Sequence, residues 1–167
     1  LQEARSKARD SQRVQNLIQI RNALELYHSE KGEYPDNMYN TSPTSYLLDR
    51  NVTCFQCAFG DDTTKHYHSS ALGHKIGIYL KPRPCDPLLP NNNGGGGCSR
   101  LGTPASTNRV RGFFYKVNSE KTEYKIAIAD TIENYSHVPQ NMIDNKFNSD
   151  WSQDKTISLY SSGQSKY

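Results

Sequence analysis

The chain has 167 residues, and its 20 basic against 17 acidic side chains leave a net charge of +3. That excess is too small for a dedicated nucleic-acid binder, which carries a denser basic patch. The hydrophobic share of 34% falls below the roughly 45–50% of ordinary domains, so one domain with a thin core and much loop is expected. The low net charge and 10% aromatic content still argue against full disorder.

Residues Gln2 to Lys31 contain no Pro or Gly and are rich in Ala, Arg, Gln, Glu and Leu, which favour helix. Val14, Leu17, Ile18, Leu24 and Tyr27 recur close to a 3.6-residue period and predict one apolar stripe. From Gln2 to Arg13 the only apolar side chains are Ala4 and Ala8. A helix of this length spans about 45 Å, more than a small domain needs. It is therefore expected to dock by its second half and project by its first. Lys31-Gly32, with Pro35 beyond, is the expected stop.

Residues 33–80 are polar and mixed, and hold Cys54, Cys57, His66, His68 and His74. Two short apolar runs, Tyr46-Leu47-Leu48 and Ile76 to Leu80, fit a helical turn or a strand equally well. From Lys81 to Arg111 the prolines, Asn91-Asn92-Asn93 and Gly94 to Gly97 read as a long loop. Gly112 to Val117 and Glu123 to Ala129 are aromatic and β-branched runs joined by about five polar residues, the pattern of a hairpin. Tyr124, Ile126 and Ile128 alternate with Lys125, which predicts one buried and one wet face. A last strand is expected at Thr156 to Tyr160, after an irregular loop from Asp130 to Lys155. The layout is one domain over 1–167, comprising a helix at 1–31, a loop-rich region at 32–111 and a sheet region at 112–167.

Three blocks carry a family resemblance: Ala4 to Arg13, Asn22 to His28, and Lys31-Gly32-Glu33-Tyr34-Pro35. Together they resemble type IV pilins and type II secretion pseudopilins, whose exposed half-helix often reads ARxKARDxxR, then ALELYY, then G-x-YP. Looser matches follow at Leu80-Lys81-Pro82 through Cys85-Asp86-Pro87, at Gly112 to Tyr115, and at Ile157 to Gly163. The chain opens at Leu1 rather than Met, and the family's leader and apolar half-helix are not in it. The resemblance thus implies a soluble piece of a prepilin-derived, single-pass membrane protein. It implies an α+β fold, with the long helix packed on a small antiparallel sheet of three or four strands.

The implied function is structural: a subunit that self-associates into a homopolymeric filament at the bacterial cell surface. Before assembly it would sit in the inner membrane by the apolar half, and external assembly and retraction motors would do the work. No catalytic role and no cofactor are expected. The stripe suits the sheet, and Arg5, Lys7, Arg9, Asp10 and Arg13 could pair with acidic groups of the next subunit. The alternative for that cluster is a solvated helix with local ion pairs. The long loops favour a pilus fibre for adhesion, motility or DNA uptake over the compact piston of a secretion pseudopilus. A rare tip adhesin is a third variant.

The four cysteines admit three pairings. The favoured one joins Cys85 to Cys98, closing the Pro/Asn/Gly loop for about 3 kcal/mol. Pilins often staple a surface loop this way. Cys54 and Cys57 would then form a tight second bridge. A metal-binding module is the competing class, with Cys54-x2-Cys57 and His66-x-His68 as zinc ligands. Neither the histidine spacing nor the second cysteine pair fits the usual zinc pattern. A thioredoxin-like role lacks the βαβ context.

Asp144, Asn145, Asn148, Asp150 and Asp154 crowd one loop. The resemblance raises calcium there, as in major pseudopilins, but no EF-hand spacing is present and an ordinary polar loop is the plainer reading. Three Asn-x-Ser/Thr sequons, at Asn40, Asn51 and Asn134, compare with about two expected by chance. The 11 tyrosines suit half-buried strands.

Overall fold

The computed structural model describes residues 1–36, 53–54, 75–80, 84, 87, 112–129, 132–144 and 156–161. They form an α+β arrangement of one long helix and a small antiparallel sheet. Helix α1 runs Gln2–Lys31. It ends because Gly32 takes the left-handed conformation at φ 77° and donates its N–H to His28 O at 2.8 Å. Only glycine enters that region without a Cβ penalty. Among the described residues no helix is long and apolar enough to cross a membrane.

Strands β1 (Thr53–Cys54), β2 (Gly112–Val117), β3 (Tyr124–Ala129) and β4 (Ile157–Tyr160) pair in that order, each antiparallel to the next. The β2–β3 register sets Tyr115 opposite Ile126 and Val117 opposite Tyr124. The β3–β4 register sets Ile126 opposite Leu159 and Ile128 opposite Ile157. Because strand side chains alternate, these residues share one face. They form the core with Val14, Leu17, Ile20, Ala23 and Leu24 of α1. Leu17, Ile20 and Leu24 are almost completely buried, and each such side chain contributes roughly 1.5–3 kcal/mol.

Two features differ from the periodicity reading. Ile20 and Ala23 join the buried stripe, while Ile18 and Tyr27 flank it half-buried. The expected wet face of β3 is also covered: Lys125 and Ala127 are buried. The reason at Lys125 is a partner far along the chain, since its ammonium lies 2.5 Å from the Asp144 carboxylate. The ambiguous run at 76–80 is no strand: Lys75 and Ile76 are helical and Gly77 to Tyr79 turn, with Tyr79 N–H donating to Ile76 O and Leu80 N–H to Gly77 O. Ile76 and Leu80 reach the core from it.

A strap from Ile132 to Asp144 links β3 towards β4. It is built from two 3₁₀ turns, Tyr135–His137 and Gln140–Met142. It drops Ile132, Val138 and Met142 into the core. Tyr135 accepts a hydrogen bond at its hydroxyl from Thr156 N–H.

Candidate functional site

The helix meets the rest of the domain in two chemically different ways. Near its C-terminal end the contact is aromatic. Tyr34 folds back beside α1, stacks on His28 at 4.3 Å between ring centroids, and meets Tyr124 edge-on at 4.6 Å. The hydroxyls of Tyr34 and Tyr124 donate to the two carboxylate oxygens of Glu25, at 3.0 and 2.7 Å. Burial first, and the Glu25 hydrogen bond second, push both hydroxyls well above the usual tyrosine range. Tyr115 donates to Pro35 O at 2.7 Å. The chain leaving the helix is thereby tied to the sheet.

The hairpin tip adds a second tie. Lys121 has a left-handed backbone, φ 56°, unusual for a residue with a Cβ. Its carbonyl accepts the Tyr34 N–H, and its ammonium bridges Glu33 and Asp36 at 3.1 Å each.

About two to three turns from the helix start, the contact is ionic. Asp10 is fully buried and Arg13 is 1% exposed. Asp10 Oδ1 accepts from Arg13 Nη1 at 2.8 Å and from the Glu133 N–H at 3.0 Å. Asp10 Oδ2 accepts from the Asn134 N–H at 3.0 Å and faces His137 Nδ1 at 2.9 Å. A carboxylate only accepts, so Nδ1 is the ring nitrogen that carries a proton there. Glu133 returns from the strap to receive Arg9 through two bonds of 2.6 Å and Arg13 at 3.1 Å.

Two guanidinium groups thus face two carboxylates. The hydrogen bonds from Arg9, helped by Arg13, pull the Glu133 carboxyl down to about 2. The same contact raises Arg9. A buried charge is tolerated only when paired and hydrogen-bonded, and this cluster meets both conditions.

This geometry revises the reading of the basic cluster as a surface for the next subunit. Asp10 and Arg13 are buried, and Arg9 is half-buried against Glu133, so all three find partners within the chain. Arg5 and Lys7 alone of the five are exposed. The projecting part of the helix is also shorter than the lack of apolar residues suggests. From Arg9 onwards the strap covers it, and only residues 1–8 lie essentially clear. Asp10-x-x-Arg13 does signal a pair one helical turn apart. Nothing local signals Glu133, Asn134 or His137, which lie more than 100 residues away in sequence.

Asp144 is buried and spoken for. Its Oδ2 accepts from Ser158 Oγ at 2.6 Å and Tyr160 OH at 3.3 Å, beside the Lys125 ammonium. The Tyr160 ring lies under the same ammonium at 5.3 Å. Lys125 thus places one positive charge beside this carboxylate. Asn145, Asn148, Asp150 and Asp154 lie outside the described residues. Among the described residues no three His, Cys, Asp or Glu side chains gather as metal ligands.

Cys54 sits on β1 opposite Phe114. Cys57, Cys85 and Cys98 lie outside the described residues, as do His66, His68 and His74, so both the disulfide and the zinc expectations fall there. No family model, curated protein or solved structure matches this chain.

Proposed function

We propose that this chain is the globular part of a filament-forming subunit of the type IV pilin and pseudopilin kind. The observation that carries the reading is the division of α1. Its rear two-thirds is built into the domain by an apolar stripe and by the Asp10 cluster. Its first turns stand clear of the sheet with Arg5 and Lys7 exposed. A helix fixed at one end and free at the other can pass from a domain into a shared bundle while the domain stays folded. The ARxKARDxxR-like block, Ala4 to Arg13, spans the change from clear to docked helix, and the Lys31 to Pro35 exit closes the docked segment.

In this reading the partners are further copies of the same chain. An assembly machine supplies the work, and the subunit is held in the inner membrane before it is incorporated. The Pro-, Asn- and Gly-rich sequence of residues 81–111, with two of the four cysteines, favours a surface pilus over a secretion piston. The test is to shear filaments from cells of the native source and identify their protein by mass spectrometry. Recovery of this chain as a repeating component along the fibres is expected. A filament-free location, with the chain outside the sheared fraction in cells that make fibres, contradicts the reading.

A further inference from the structure

We propose that Asn134 is an attachment site for an N-linked glycan. Of the three sequons, only Asn134-Tyr135-Ser136 has all of its residues described. Asn134 caps the first 3₁₀ turn of the strap, and both Asn134 and Ser136 are exposed. The carboxamide Oδ1 accepts the Ser136 N–H at 3.0 Å. That bond holds the oxygen inward, so the Nδ2 points away from the turn. Among the described residues neither Nδ2 nor the Ser136 hydroxyl has a hydrogen-bond partner.

Other asparagines show the contrast. Asn118, at the hairpin tip, spends its Nδ2 on Thr122 Oγ1 at 2.9 Å. Asn16 is buried on the helix, with Oδ1 accepting from Gln12. Room for a bulky substituent is present as well, since Pro139, Gln140 and Asn141 that follow are exposed. The backbone beneath is fixed: Asn134 N–H is held by Asp10, and Asn134 O accepts the His137 N–H at 3.0 Å. A sugar placed here extends into solvent without displacing a core contact.

The co-substrate is an oligosaccharide on a lipid pyrophosphate, and the catalyst is a transferase acting on exported chains. Asn134 Nδ2 attacks the anomeric carbon. The bond from that carbon to the pyrophosphate oxygen breaks, an N–C bond forms, and one Nδ2 proton passes to a base of the transferase. Lipid pyrophosphate leaves. The inference rests on the filament reading, because such a transfer requires export.

The test uses protein isolated from the native source. The peptide carrying residues 132–144 is examined by mass spectrometry together with the cellular fraction in which the chain is found. A carbohydrate mass on Asn134 is expected. It should vanish in Asn134→Asp, which keeps an oxygen to cap Ser136 N–H but has no Nδ2. It should vanish in Ser136→Ala and survive in Ser136→Thr. A surface filament whose 132–144 peptide has its plain sequence mass overturns the glycan and leaves the filament standing. A chain that is never exported overturns both.

Discussion

The two ends of the docked helix are held by opposite chemistry. At the rear, Leu17, Ile20 and Leu24 press on Ile126, Ile128 and Tyr124, a contact made mostly of apolar area. At the front, Asp10 and Arg13 are as deeply buried as those three side chains, yet what they meet is charge and backbone N–H. The apolar contact at the rear is non-directional and tolerates adjustment, with the Glu25 hydrogen bonds to Tyr34 and Tyr124 as its directional exception. The front is directional, because Asp10 must find Arg13, two backbone amides and His137 at once. The difference shows how a helix with almost no apolar residues in its first half can still be seated at one rotation and one height. Apolar burial supplies the adhesion, and the ionic cluster fixes the register of helix against strap.

The sharpest way to break that comparison is at Asp10. Asp10→Ala leaves Arg13 buried without its closest partner and strips the strap of its acceptor. A loss of about 3–5 kcal/mol in chemical denaturation is expected. Replacing the pair together, Asp10→Leu with Arg13→Met, should recover only the part due to the unpaired Arg13 charge, because the Glu133 and Asn134 amides and His137 still lack their acceptor. A cost for Asp10→Ala within about 0.5 kcal/mol, the range of ordinary surface changes, would show that the front cluster does not hold the helix. Leu24→Ala tests the rear by cavity formation, with an expected cost of about 2–5 kcal/mol. The strap contacts of Asp10 should survive it, so amide exchange at Glu133 and Asn134 should stay slow relative to global opening.

Acid should act on the front first. The Glu133 carboxyl lies at about 2 in the folded chain against an ordinary 4.5. Its contribution is therefore complete above about pH 4.5 and is lost as pH falls towards 2. Glu133→Gln should flatten that part of the acid-stability curve while leaving the neutral end less affected than Asp10→Ala does. Equal slopes for the two proteins between pH 4.5 and 2 would contradict the pairing. The smallest effect on folding belongs to Arg5→Ala and Lys7→Ala, which should change stability by no more than about 0.5 kcal/mol. If these residues serve assembly, the yield of filaments should drop in cells that express the variants at normal levels.

Some of this was legible in the chain itself. The helix limits, the Gly32 stop, the hairpin and the last strand follow from periodicity and turn residues, which act over a few positions. Val14, Leu17 and Leu24 lie on the buried stripe for the same reason. The polar contacts were not legible, because their determinants lie far apart. Arg9 reads as a free surface charge until Glu133, 124 residues later, is brought beside it. Lys125 reads as the wet side of a strand until Asp144 covers it. The strap reads as irregular loop because its 3₁₀ turns are only three residues each, too short to leave a period. Minimal spacing leaves Ile20 off the stripe, since a helix buried under a sheet uses a wider stripe than the minimal one.

The most direct test of the central claim lies in the native gene upstream of the Leu1 codon. The filament account predicts a short basic leader, a processing site, and about 20 apolar residues continuing the helix into a membrane-spanning segment. It also expects one acidic residue near the mature start. An ordinary cleaved signal peptide or a different folded domain joined directly to Leu1 would contradict it. The exposed first turns of α1 would then need another explanation.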